Sequence, residues 1–93
     1  MKCLEIIKVR SSSERGEQVN WTLHNLVSQI QKVPGLASVR VCADAKVSGD
    51  WGLLLFWENQ ELGRQGSALA LILTQHLRAL GLVDHTVWMD QHP

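Results

Sequence analysis

The chain has 93 residues, with nine basic side chains balanced by nine acidic ones, 45% apolar and 19% charged. That length makes a single domain over residues 1–93, the composition is that of a folded chain, and the even charge leaves no footprint for nucleic acid or an anionic membrane. The longest strictly apolar runs, Leu53–Trp57 and Ala68–Leu73, are far too short to span a bilayer.

The opening MKCLEIIKVR lacks the basic, apolar and cleavage regions of a secretory signal. Two cysteines do not make a disulfide scaffold. The expectation is a soluble, reduced, cytoplasmic protein.

Met1–Arg10 reads as a strand, with Cys3, Leu4, Ile6, Ile7 and Val9 placing apolar side chains on both faces. Glu14–Val33 reads as an amphipathic helix whose stripe is Val19, Leu23, Leu26, Val27, Ile30 and Val33. Ser13 suits its N-cap, and Pro34-Gly35 stops it. Trp21 falls opposite the stripe, where an exposed indole marks either a partner surface or a site covered by a loop. Leu36–Lys46 alternates, as an edge strand does, whereas Asp50–Glu58 is apolar on both parities, as a central strand is. Ser67–Leu80 reads as a second helix with Leu69, Ile72, Leu73, His76, Leu77 and Leu80 inward, Ser67 as N-cap and Gly81 as a left-handed C-terminal residue. Asp84–Asp90 is a last strand.

The order β-α-β-β-α-β is the split βαβ, or ferredoxin-like, arrangement. Right-handed crossovers then give an antiparallel sheet with both helices on one face and the first and third strands at its centre. A two- or four-residue turn at Ser48-Gly49 pairs Val41 with Phe56 and Ala43 with Leu54 beneath the helices. On the far face it pairs Arg40 with Trp57, Cys42 with Leu55, Asp44 with Leu53 and Lys46 with Trp51. A three- or five-residue turn exchanges the faces. With the first register, Trp51, Leu53, Leu55 and Trp57 stand together on the face without helices. Such a patch marks an interface or a ligand surface, and the expectation is an obligate homodimer closed through it. Cys3 and Cys42, two strands apart, are then too distant for a disulfide.

With this element order, with Leu53-Leu54-Leu55-Phe56-Trp57-Glu58 ending the third strand in Trp-Glu, and with His76 on the following helix, the sequence resembles the dimeric α+β barrel superfamily, near the antibiotic biosynthesis monooxygenase-like domains. The resemblance implies a homodimer with a small pocket between each sheet and its helices. It also implies either cofactor-free oxidation of small aromatic substrates or, in a related branch, haem binding. That haem branch looks for an asparagine in the first strand, and Met1–Arg10 has none.

The residues offer several sites. His76, inward on the second helix, can act as a general base or ligand, or be a buried histidine bonded to backbone. Arg40 over Trp57 makes a cation–π pair able to hold an anionic aromatic ligand, or a stack at an interface edge; Lys46 with Trp51 has the same geometry. Glu5, on a central strand, needs a cationic partner such as Arg40, or an exposed strand end. His85 and His92 lack ligands at metal spacing, so no metal site is read and no cofactor is expected. Neither cysteine has a base nearby to activate it. Three functions follow: a small-ligand pocket built on His76 and Trp57, with Glu5, Arg40, Trp51, Leu53 and Leu55 lining the pocket or dimer face and cofactor-independent monooxygenase-like chemistry for a small hydrophobic or aromatic ligand; a non-catalytic interaction or regulatory dimer; or a haem-binding relative that uses His76.

Overall fold

The computed structural model describes residues 2–58 and 62–91. The elements are β1 (Cys3–Arg10), a 3-10 turn (Ser13–Arg15), α1 (Gly16–Ile30), β2 (Leu36–Ala43), β3 (Asp50–Trp57), α2 (Ala68–Leu77) and β4 (Leu82–Met89). The four strands form one antiparallel sheet in the order β2-β3-β1-β4. The ferredoxin-like order, the central β1 and β3 and the edge position of β2 are as the alternation patterns require. Cys3 is buried on β1, Cys42 is exposed on β2, β3 separates them, and no disulfide joins them.

The helices cover the face that carries the odd-numbered residues of β1 and β3. Ile7, Val9, Leu53 and Leu55 are fully buried there, packed with Val19 and Leu23 of α1 and Leu77 of α2. Each side chain of this size taken out of water contributes roughly 1.5–3 kcal/mol. The α1 stripe is the expected one, with Leu26, Val27 and Val33 packed at its edge and Trp21 70% exposed on the opposite side. Ser13 does not cap α1: it begins the 3-10 turn, and the residue before it, Ser12, makes no side-chain cap bond.

The β2–β3 register differs from the expected one. Val41 pairs with Leu53, Val39 with Leu55, Ala43 with Trp51 and Arg40 with Leu54. The connection is a six-residue loop, Asp44 to Gly49, organised by the Asp44 side chain. Its Oδ1 accepts from the backbone N–H of Lys46 at 2.8 Å and of Val47 at 2.9 Å, an Asx turn of the kind that overrides strand propensity. These two bonds hold the Asp44 carboxyl below the usual carboxylate range. The change is an odd number of residues, so it exchanges the faces. Trp51, Leu53, Leu55 and Trp57 therefore lie on the helix side, and the bare face carries Leu4, Ile6, Leu54 and Phe56 instead.

The second helix is also rotated from expectation. Its buried residues are Ala70, Leu73, Thr74 and Leu77, while Leu71 and Ile72 are 59% and 62% exposed and His76 points outward. The run ALALIL is apolar on every side, so periodicity does not choose a face. Thr74 is accommodated because its Oγ1 donates to the Ala70 carbonyl at 2.7 Å. Gly81 is not left-handed; a side chain there would run into the Arg10 carbonyl. Leu82, which follows it, is 76% exposed.

Gly49 closes the β2–β3 loop at φ 94°, with its carbonyl accepting from Ser11 N at 3.0 Å and Ser11 Oγ at 2.7 Å. A Cβ there would lie 2.8 Å from the Ser12 carbonyl carbon, whereas a Cβ on Gly63 would meet nothing within 4 Å. Gly49→Ala is expected to cost at least about 1–3 kcal/mol through backbone strain, and Gly63→Ala less than about 0.5 kcal/mol. Urea denaturation of the two variants measures the difference.

Candidate functional site

Odd positions of β1 point under the helices, and the alternation that buries Ile7 and Val9 also buries Glu5, which is 0% exposed. A carboxyl group there requires several donors. The Trp57 indole N–H donates to Glu5 Oε1 at 2.7 Å, and the Ser67 hydroxyl donates to the same oxygen at 2.6 Å. Glu5 Oε2 accepts from Ser67 N–H at 3.0 Å and lies 2.8 Å from His85 Nε2. An indole N–H and a backbone N–H can only donate, and Ser67 Oγ accepts from Ala70 N–H at 3.0 Å while its one proton goes to Glu5 Oε1. With Glu5 as a carboxylate, both oxygens act as acceptors, two bonds each, and the His85 tautomer that carries its proton on Nε2 completes the set as a donor.

The sheet register brings these groups together. Cys3 pairs with Trp57 and Glu5 with Leu55 across β1–β3, and Ile7 pairs with His85 across β1–β4, so the three side chains meet on one face. Ser67 caps α2 from an extended conformation (φ −85°, ψ 156°), placing Glu5 at the positive end of that helix. Gly66 precedes it at φ 82°, and a Cβ there would run into Glu5 Oε2 and come within 2.7 Å of His85 Cε1. The carboxylate is therefore sealed by glycine backbone on one side, while the His85 side chain stays 19% exposed.

Of the residues singled out from the sequence, Glu5 and Trp57 meet here, and Leu53 and Leu55 form the hydrophobic floor of the same face. Trp51 lies half-buried further along β3, and its Nε1 sits 3.9 Å from where a Cβ on Gly16 would stand. Arg40 does not join them. It is exposed on β2 opposite Leu54, so neither the Arg40–Trp57 nor the Lys46–Trp51 stack forms, and the partner of Glu5 is His85. His76 is exposed on the outer side of α2, which removes the inward histidine on which both the pocket and the haem readings relied. His92 lies outside the described residues. Among the described residues no group of three or more His, Cys, Asp or Glu side chains is placed to hold a metal ion.

Two site residues escaped the sequence reading. His85 is weighed in the sequence only for metal spacing, yet Val83, His85 and Val87 alternate in phase on β4 and put the imidazole under the helices. Ser67 was legible as a cap and not as a carboxylate ligand, because that second role depends on β1.

No family model matches the chain, and no curated protein matches it. Solved structures do, in their fold. A Deinococcus radiodurans protein provisionally assigned as an antibiotic biosynthesis monooxygenase is 16% identical, with a TM-score of 0.70 over 98% of this chain and 94% of its own. Rv0793 from Mycobacterium tuberculosis is 15% identical, with a TM-score of 0.72 over 100% and 98%. A variant of SnoaB, a cofactor-independent oxygenase from Streptomyces nogalater, is 14% identical, with a TM-score of 0.63 over 99% and 95%. The chain thus has the ferredoxin-like α+β fold of these proteins over nearly its whole length. Among the described residues no helix is long and apolar enough to cross a membrane.

Ser67→Ala removes the cap and one donor to a buried carboxylate. The expected cost is about 2 kcal/mol, from roughly 1 for the cap and 1 or more for the charge-assisted bond. Glu5→Ala strands donors from three residues at once and is expected to cost about 3–5 kcal/mol. Thermal and urea unfolding of both variants, read by tryptophan fluorescence because Trp57 sits on the network, checks the order.

Proposed function

We propose that the protein is a homodimer whose protomers each act on a small hydrophobic or aromatic substrate between sheet and helices, by cofactor-independent, monooxygenase-like chemistry, with His85 as the proton acceptor. The observation that supports this is the state of the His85 ring. Its Nε2 is tied to a fully buried carboxylate, its side chain remains partly open, and among the described residues Nδ1 has no hydrogen-bond partner. A carboxylate that orients one ring nitrogen leaves the other aimed to take a proton. Trp57 and Ser67 position Glu5, and Glu5 positions His85.

The substrate this arrangement serves carries a weakly acidic O–H or C–H, as a hydroquinone or a benzylic ring CH2 does. Proton loss to His85 leaves an electron-rich anion, and dioxygen is the oxidant. For a ring CH2 the balance is CH2 + O2 → C=O + H2O, with one oxygen atom entering the product and the other leaving as water. The neighbour SnoaB is itself described as a cofactor-independent oxygenase, which supports this class of chemistry on this fold.

Dimerisation is supported by the bare sheet face. Leu4, Ile6, Leu54 and Phe56 stand there half-buried beside Trp88, 58% exposed, a contiguous apolar patch. The second reading is a non-catalytic dimer module, favoured by the complete satisfaction of the Glu5 oxygens, which a purely structural tie also needs.

Oxygen consumption with a panel of hydroquinones and polycyclic ring-CH2 compounds tests the chemistry. His85→Gln is expected to lower turnover at least about 100-fold, in the range of a lost general base, while unfolding shifts far less than for Glu5→Ala. No turnover with any member of the panel selects the interaction module. Sedimentation equilibrium is expected to give twice the 10.4 kDa chain mass, and Ile6→Asp to give monomers or aggregates.

A further inference from the structure

The sheet face opposite the helices ends, beside the β2–β3 loop, in a hollow of about 210 Å3. Its floor follows from the pleat. Cys42 on β2 and Lys8 on β1 both pair with Gly52, so one row runs Cys42, Gly52, Lys8 with no side chain at its middle. Asp50 stands two residues back along β3 on the same face. Ile6 adds hydrocarbon, and Asp44 lies at the edge.

The state of Asp50 sets this hollow apart. Its side chain is only 10% exposed, and among the described residues no hydrogen bond reaches it. Two cations stand just outside hydrogen-bond distance: Lys8 Nζ is 3.9 Å and Arg10 Nε 3.8 Å from Oδ2. A carboxylate with so little access to water requires donors. Asp44 does not share this state, because its Oδ1 accepts from the backbone N–H groups of Lys46 and Val47. The hollow therefore has an acid pole, Asp50, next to a basic pole, Lys8, and each is one hydrogen bond short.

This pattern selects ligands by charge. A simple anion is repelled by Asp44 and Asp50, and a simple cation by Lys8 and Arg10. A molecule with an ammonium and a carboxylate on one carbon avoids both penalties. Its ammonium donates to Asp50 and its carboxylate accepts from Lys8 Nζ, which closes two charge-assisted hydrogen bonds. A hollow of about 210 Å3 has the volume of roughly seven water molecules. That is room for such a head group and a short aliphatic side chain laid on Ile6 and Gly52.

We propose that this hollow binds a small aliphatic α-amino acid as its zwitterion, with Asp50 holding the ammonium and Lys8 the carboxylate. The site is separate from the Glu5–His85 pair, which lies on the other face of the sheet.

Isothermal titration calorimetry with glycine, L-alanine, L-valine and L-leucine tests the site. Isobutylamine and 3-methylbutanoate, which are valine without its carboxylate and valine without its ammonium, read the two poles separately. L-Valine is expected to bind once per chain with a dissociation constant of about 1 mM, and each analogue at least about tenfold more weakly. Asp50→Asn is expected to weaken valine at least about tenfold. Lys8→Met is expected to weaken valine to the same degree and to leave isobutylamine no weaker. Gly52→Val tests the hollow itself. A Cβ there meets only Leu54 Cδ1 at 3.3 Å and the Cys42 carbonyl at 4.0 Å, so the fold accepts it while the branched side chain fills the space. Valine binding is expected to fall at least about tenfold in this variant, with its sedimentation and urea unfolding those of the parent. The site is overturned if none of the four amino acids binds, if either analogue binds as tightly as valine, or if valine binds Gly52→Val and Asp50→Asn as it binds the parent. Absence of oxygen consumption with every substrate tried overturns the oxygenase reading and leaves this site standing.

Discussion

A carboxylate buried beneath a hydrophobic helix layer loses its hydration, and the effective penalty is several kcal/mol. Glu5 sits in that position, and the surrounding structure is arranged to compensate it. Trp57 comes from the end of β3, His85 from the middle of β4, and Ser67 from the cap of α2. Those donors converge only if β1 keeps its register with both neighbours and α2 starts where it does. The group is thus a tie between four elements, β1, β3, α2 and β4. It also accounts for the rotation of α2, because a helix apolar on every side takes its orientation from the contact at its first turn.

The pleat then divides the labour of the central strands. Odd positions of β1 and β3 supply the core and the carboxylate network, and even positions supply the bare face. Both central strands are apolar on both parities for this reason. The oxygenase-type reading and the dimer reading therefore draw on opposite sides of the same residues, and a substitution on one side leaves the other largely untouched.

Partial exposure gives the network its chemical interest. A fully sealed Glu–His pair is a structural strut. Here the carboxylate is closed off by Gly66 and Ser67 while part of the imidazole remains accessible, so the pair has a rigid buried end and an open end. This is the arrangement in which a second residue raises the usefulness of a histidine without touching the substrate.

The order of elements, the central and edge strands, the α1 stripe and the Ser67 cap were legible in the sequence, because each follows from local periodicity or from side chains that bond to their own backbone. Which face of the hairpin meets the helices was not. The Asp44 side chain sets the loop with two hydrogen bonds, and an odd shift in register exchanges every residue from Trp51 to Trp57 between core and surface. The inward face of α2 was not legible either, since ALALIL offers no polar side to read. Only the tertiary structure decided that Glu5, Trp57, Ser67 and His85 share one point, with up to 80 residues of chain between them. Sequence spacing has no term for that distance; the sheet register does.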